Sequence, residues 1–249
     1  MALKVNWCHT CGRGRNFGDQ VTTRLLTTYG VVHEWAAPGR CEFIGAGSIL
    51  SKIPRGWRGS VWGTGFIRSG YYSDLRVAHV YALRGEFTRA HVKMRAQPWP
   101  VAFGDPGILV GDLPRRTCEP AAVVLIPHYV DKLMVERHPN VPVVDITASA
   151  EQVLGAIASA DLVITSSLHA LIAADALGVP HVLELSPLVT GGLYKFQDYV
   201  SAFGDRIVPG RERLTDRATM ALRQNGLREA LWLALRRSGI ASPTTSPSS

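Results

Sequence analysis

The chain has 249 residues, 46% of them hydrophobic, enough for a buried core in one large domain or two compact ones. Twenty-seven Lys and Arg against 20 Asp and Glu leave a formal charge of +7, which favours anionic partners such as phosphorylated small molecules, acidic glycans, nucleic acid or an anionic membrane surface. Nucleic acid is set aside because no recognised module or dense basic-aromatic run accompanies the charge, and no window reaches the apolar length of a membrane span.

The opening residues, MALKVNWC, run into a candidate strand at 3–7 and lack the apolar stretch and cleavage pattern of a secretory signal, so a cytoplasmic protein is expected. Cys8, Cys11, Cys41 and Cys118 do not make a disulfide framework, in keeping with a reducing compartment. Cys8 and Cys11 form a C-x-x-C. No second closely spaced ligand pair follows to complete a zinc site, so no metal and no cofactor are expected.

Further strands are expected at 42–44, 61–62 and 77–83, with helices at 18–28 and 86–94. After a Pro- and Gly-rich passage at 97–120, a second strand series follows at 121–126, 141–146, 161–165 and 180–185, with helices at 150–158 and 168–177. Ser149 ahead of Glu151 and Gln152 supplies a cap for the first of these helices, and Gly178 followed by Pro180 stops the second. Short apolar runs alternating with amphipathic stretches spell an α/β fold with helices on both faces of parallel sheet. Two series imply two Rossmann-like halves, residues 1–110 and 111–240, the second including the C-terminal helix, followed by a disordered Pro- and Ser-rich tail at 241–249.

Residues 214–239 read as a helix interrupted at Asn225-Gly226, with Leu227, Ala230, Leu231, Ala234 and Leu235 in one apolar stripe opposite Arg228, Glu229, Arg236 and Arg237. Such a stripe packs on the protein. Its alternative seat is an anionic surface, a peripheral contact with the inner membrane.

Ligands of doubly wound sheets bind outside the carboxyl ends of the strands. The segments following the strands are NFGD at 16–19, GAGS at 45–48, GTGF at 63–66, RGEFTR at 84–89, PHYVD at 127–131, SSLH at 166–169 and LYKFQD at 193–198. The two glycine loops offer backbone amides to a phosphate or sugar hydroxyl, or simply turn the chain. Asn16 or Asp19 serves a site or caps a helix. His169 lies in the first turn of a helix, where free amides and the hydroxyls of Ser166 and Ser167 gather, and it either moves a proton or stays a satisfied structural residue. Arg84 ends a strand, where a guanidinium holds a carboxylate or phosphate at two points, or pairs with Glu86. Lys195 adds a point charge or stays in solvent.

Taken in order, NFGD, GAGS, GTG, LRGEFTR at 83–89, FGDPGIL at 103–109, PHYVD, SSLHALIAADALGVP at 166–180 and KFQDY at 195–199 resemble the polysaccharide pyruvyltransferase family, from about residue 16 to about 204. The resemblance implies a glycosyltransferase-B-like pair of domains facing a cleft and no metal requirement. It implies phosphoenolpyruvate as donor. The implied acceptor is a sugar or lipid-linked oligosaccharide of a bacterial exopolysaccharide or cell-wall precursor. It assigns catalysis to His169 and Arg84, and the segments after the strands supply Asn16, Gly18, Asp19, Gly47, Gly65, His128, Ser166, Ser167 and Lys195 as the substrate-binding candidates. Many members carry Arg two residues before the His; here that position is Ser167, one anion-binding charge fewer. A nucleotide-sugar glycosyltransferase and a non-catalytic glycan- or anion-binding relative remain the alternatives.

Overall fold

The structure is a computed structural model that describes residues 2–8 and 16–240. Cys11 and the 241–249 tail, for which a redox or zinc role and disorder were considered, lie outside the described residues.

The described residues form two larger sheets and a two-stranded one. In the first, β1 (Leu3–Asn6), β2 (His33–Trp35), β3 (Phe43–Ile44), β4 (Ser60–Trp62), β6 (His79–Leu83) and β8 (Ala102–Phe103) are all parallel, in the order β2-β1-β3-β4-β6-β8. A parallel ribbon of β5 (Ser73–Asp74) and β7 (Val92–Lys93) stands apart. The second sheet has the order β12-β11-β10-β9, with β9 (Ala121–Ile126), β10 (Ala160–Thr165) and β11 (His181–Leu183) parallel and β12 (Glu212–Arg213) antiparallel at the edge. The α/β expectation therefore holds, and the break between the sheets falls in the turn-rich passage.

The helices are α1 (Phe17–Thr28), α2 (Glu86–Ala90), α3 (Lys132–Arg137), α4 (Ala150–Ala158), α5 (Leu168–Leu177), α6 (Tyr194–Ser201) and α7 (Arg217–Arg237). α4 begins with a reciprocal capping box between Ser149 and Gln152, which satisfies two otherwise orphaned amides. α5 ends at Gly178, whose φ of 70° is the left-handed conformation that glycine adopts at least cost. α5 is buried on several faces through Leu168, Ala170, Leu171, Ile172, Ala173 and Ala174, as befits a helix inside the molecule.

Between the sheets, a 3-10 segment at Pro106–Asp112 is capped by Asp105, whose carboxylate accepts from the Gly107 amide at 2.9 Å. It packs against α1, α5 and α7. As a result one apolar core runs from Leu3, Phe43 and Trp62 through Ile108 and Leu109 to Val163, Leu171 and Leu231. This sharing of a core fixes the two sheets relative to each other and leaves their carboxyl ends to frame a common space.

Three expectations are corrected here. The C-terminal helix does not belong with the second half: α7 lies on β4, β6 and β8 of the first sheet, and the Trp62 indole donates to the Leu227 carbonyl at 2.9 Å. Its apolar stripe is thereby buried, so the membrane-surface alternative loses the face it needed. Asn225-Gly226 does not interrupt it either. A helical glycine costs about 1 kcal/mol relative to Ala, and burial of Leu227 and Leu231 on either turn offsets that. The third is the 141–146 strand, reduced to a single bridge between Leu125 and Val143, because Pro142 has no amide to give a ladder.

Candidate active site

A cavity of about 480 Å³ opens where the loops after the strands of both sheets converge. It is lined by Cys8, Asn16, Asp19, Ser48, Ile49, Ser51, Lys52, Ile67 and Tyr71 from the first half, and by His128, Tyr129, Ser167, Leu168, His169, Thr190 and Lys195 from the second. An open groove of about 530 Å³ lies elsewhere, among Glu42, Arg58, Ser60 and His79 at the amino ends of β3, β4 and β6. Its position is the wrong one for a ligand of parallel sheet, so the smaller, more enclosed cavity is the candidate.

α1 brings Asn16 and Asp19. Asn16 caps the helix, its side-chain oxygen accepting from the Gly18 amide at 3.0 Å, and it reaches the cavity wall as well. Gly18 itself does not line the cavity; it makes room for His169. A Cβ at position 18 would overlap the imidazole. Gly18→Ala is therefore expected to displace the ring or the helix start, at a cost of about 1–3 kcal/mol in stability and about a hundredfold in any rate that depends on the ring. A thermal melt together with a turnover assay checks this, and unchanged values would show that the contact yields freely.

Asp19, in the first turn of α1, has one carboxylate oxygen enclosed without a hydrogen-bond partner. Burial pushes its carboxyl up to about 7, against the pull of Lys52 and Lys195. Lys195 is only 4% exposed on α6, and its ammonium makes no hydrogen bond or ion pair among the described residues. Burial, with the nearby Arg84, brings it down to about 8. Lys52 stands near the Sγ of Cys8, at 3.7 Å.

α5 presents His169. Its Nε2 has no hydrogen-bond partner and lies 3.9 Å from an oxygen of Asp105, which is fully buried. Desolvation lowers the His169 pKa despite the attraction of Asp105, with Arg84 and Lys195 adding to the fall. The ring is therefore neutral near pH 7 and set up to accept a proton. His128, tilted against Tyr129 with ring centroids 4.4 Å apart, is driven down to about 4 by burial and by Lys195. Its Nδ1 is unpartnered, and its backbone amide is held by Ser166 at 3.0 Å. Ser166 is fully buried and braces the His128 loop from behind, while Ser167 faces the cavity at the start of α5.

Arg84, expected at the cavity, is not on its wall. The side chain is fully buried: Nε donates to Asp198 at 2.8 Å, Nη1 to Ser48 Oγ at 2.7 Å and Nη2 to the Phe66 carbonyl at 2.5 Å. The guanidinium leaves the strand end inward because the α6 carboxylate lies there to neutralise it. Gly65 and Gly47 belong to the same support. A Cβ on Gly65 would overlap the guanidinium, and the Gly47 carbonyl accepts from the Thr64 hydroxyl and the Gly65 amide. Asp198 and Asp105 went unassigned in the sequence reading although both stand inside quoted motifs, KFQDY and FGDPGIL. Their signal was there, but their partners are distant in the chain.

Cys8 is disulfide-bonded, while Cys41 and Cys118 are free. Among the described residues no group of three His, Cys, Asp or Glu is arranged to hold a metal ion, and no helix is long and apolar enough to cross a membrane.

The family model described as polysaccharide pyruvyl transferase matches residues 102–183, the stretch from β8 to β11 that carries Asp105, His128 and His169. A succinoglycan biosynthesis protein of Rhizobium meliloti (strain 1021) is 25% identical over 229 residues, 82% of this chain and 66% of the relative. An uncharacterized protein of Acanthamoeba polyphaga mimivirus is 29% identical over 162 residues, 58% of this chain and 54% of the relative. The chain thus spans between about half and two thirds of the length of these curated relatives. No solved structure matches.

Proposed function

We propose that the chain is a pyruvyltransferase that moves the pyruvyl group of phosphoenolpyruvate onto two hydroxyls of a sugar in a polysaccharide or its precursor, forming a ketal. The observation that carries this is the composition of the cavity: an unpaired buried lysine, a second lysine and a neutral histidine backed by a carboxylate, all at the carboxyl ends of two parallel sheets. The family match and the succinoglycan relative support it.

Phosphoenolpyruvate carries a carboxylate and a phosphate, and Lys195, Lys52 and the α5 amides beside Ser167 supply complementary charge. Lys195 takes over the anion-binding part for which the sequence reading chose Arg84. A hydroxyl adding to the central carbon must lose its proton, and neutral His169, with Asp105 behind it, accepts that proton and passes it to the departing phosphate. Tyr71 and Tyr129 on the wall offer aromatic faces to a sugar ring. The two sheets act as Rossmann-like halves in a glycosyltransferase-B-like arrangement, working in the cytoplasm with no metal.

The test is release of inorganic phosphate from phosphoenolpyruvate in the presence of sugar and lipid-linked oligosaccharide acceptors. Acceptor-dependent release supports the reading. Turnover of a nucleotide-sugar instead, or tight binding of phosphoenolpyruvate without turnover on any acceptor, overturns it.

A further inference from the structure

The proposed reaction needs a proton at the methylene carbon of phosphoenolpyruvate before a hydroxyl can add, and a neutral histidine held beside a carboxylate is a poor source of it. The cavity holds two other titratable groups that reach its wall with an enclosed, unpartnered atom, Asp19 and His128. His128 is driven to about 4 and carries no spare proton near neutrality. Asp19 differs. It is anchored on the first turn of α1, against the glycine on which the His169 ring rests, so acid and base stand on opposite sides of one contact between helices.

We propose that Asp19 is the acid of the reaction: its enclosed carboxyl oxygen delivers the proton to the methylene carbon of the bound enol ester. This deepens the pyruvyltransferase reading and rests on it. The charges facing Asp19 are Lys52, from the 3-10 turn at Leu50–Lys52, and Lys195, from α6; His169, from α5, is neutral. Both lysines favour the carboxylate, and burial outweighs them, bringing the group up to about 7. The lysines bear on the donor as well: once its anions neutralise them, Asp19 holds its proton more firmly.

The carbon-carbon double bond of the donor takes the Asp19 proton, the methylene becomes a methyl, and the adjacent carbon becomes electrophilic. A sugar hydroxyl bonds to that carbon and its proton goes to His169. The carbon-oxygen bond to phosphate breaks with its electron pair, and the His169 proton leaves on the phosphate. The second hydroxyl closes the ketal, and its proton returns to Asp19. Each residue ends as it began, and the hydroxyl protons are accounted for by the methyl group and the released phosphate.

Two measurements on the full chain test this. The first needs no substrate: the melting temperatures of wild type and Asp19→Asn, from about pH 3.5 to about pH 8.5. A buried carboxyl raised in the native state stabilises the fold while protonated and loses that stabilisation as pH rises through the native pKa. Relative to the Asn variant, wild type should be most stable below about pH 4, lose ground steadily from there to about pH 7, between the ordinary carboxyl value and the native one, and level off above. A constant difference across the range overturns the assignment, whatever turnover shows. The second is phosphate release. Asp19→Asn should be slowed about a hundred- to ten-thousandfold while Asp19→Glu recovers part of the loss, and wild-type kcat/KM should decline above about pH 7. If wild type turns over and Asp19→Asn keeps its rate, Asp19 is not the acid. If wild type itself never releases phosphate, the pyruvyltransferase reading fails along with proton delivery to the enol ester, and the melting comparison still reports the protonated carboxyl.

Discussion

His169→Gln is expected to lower phosphate release from phosphoenolpyruvate by about a hundred- to ten-thousandfold, the range for loss of a positioned proton-transfer group. Glutamine keeps approximate volume and can still form hydrogen bonds, so the fold should survive and the melting temperature move little. The ring touches the cavity on one side and rests on Gly18 on the other, and its Nε2 is enclosed without a hydrogen-bond partner. Asp105 gives the experiment its second arm. With one oxygen 3.9 Å from Nε2 and the other accepting from the Gly107 amide, it is tied into the cap of the 3-10 segment. Asp105→Asn should therefore lower turnover without abolishing it, through loss of the charge that favours imidazolium as the proton arrives. It should also shift the acid limb of the pH profile to lower pH, since Asp105 is what raises the His169 pKa against burial. Wild-type turnover in His169→Gln would reduce the imidazole to a structural packing group. An unmoved acid limb in Asp105→Asn would detach the carboxylate from the chemistry.

Sequence alone made the second half of the molecule readable because its elements carry local punctuation. α4 and α5 were placed at their observed limits by the Ser149 capping box and by Gly178 with Pro180, and β9 by an uninterrupted apolar run. α6 is not among the helices that local spacing predicts. It starts at Tyr194 after Leu193, which offers no side-chain cap, and its register is set by contacts with α2 and by Asp198. α7 shows the opposite failure: Asn225-Gly226 is a break by local rules, overruled by packing on the first sheet. The same division runs through the site. His169, His128, Asp19 and Lys195 follow strands or open helices, and topology alone carries such residues to one crevice. Which way a side chain turns from that position depends on what waits on the far side, and a pairing across more than a hundred residues leaves no trace in local spacing.

Arg84 is the clearest instance, and its removal is expected to have the largest effect on stability. The pair with Asp198 is wholly without solvent contact, and the same carboxylate accepts from the Thr88 hydroxyl and amide, both at 2.7 Å, so one ion pair ties the end of β6 and the start of α2 to α6. Losing one member of such a pair strands the other charge in the interior, at about 3–5 kcal/mol. Arg84→Leu should accordingly unfold at much lower urea, and Arg84→Lys should also destabilise, because a single ammonium cannot reach Asp198, Ser48 and the Phe66 carbonyl together. The double replacement Arg84→Met with Asp198→Leu removes both charges and should recover part of the loss, which an exposed pair would not show. Since α6 also carries Lys195, any loosening of this anchor moves the lysine that faces the cavity. Donor affinity should therefore fall in Arg84→Lys along with stability. The sequence reading, a guanidinium gripping the donor directly, demands something different: a raised donor KM with the urea midpoint unchanged. If that is what Arg84→Lys gives, the arginine turns toward the cavity when the donor binds, and its pairing with Asp198 describes only the empty site.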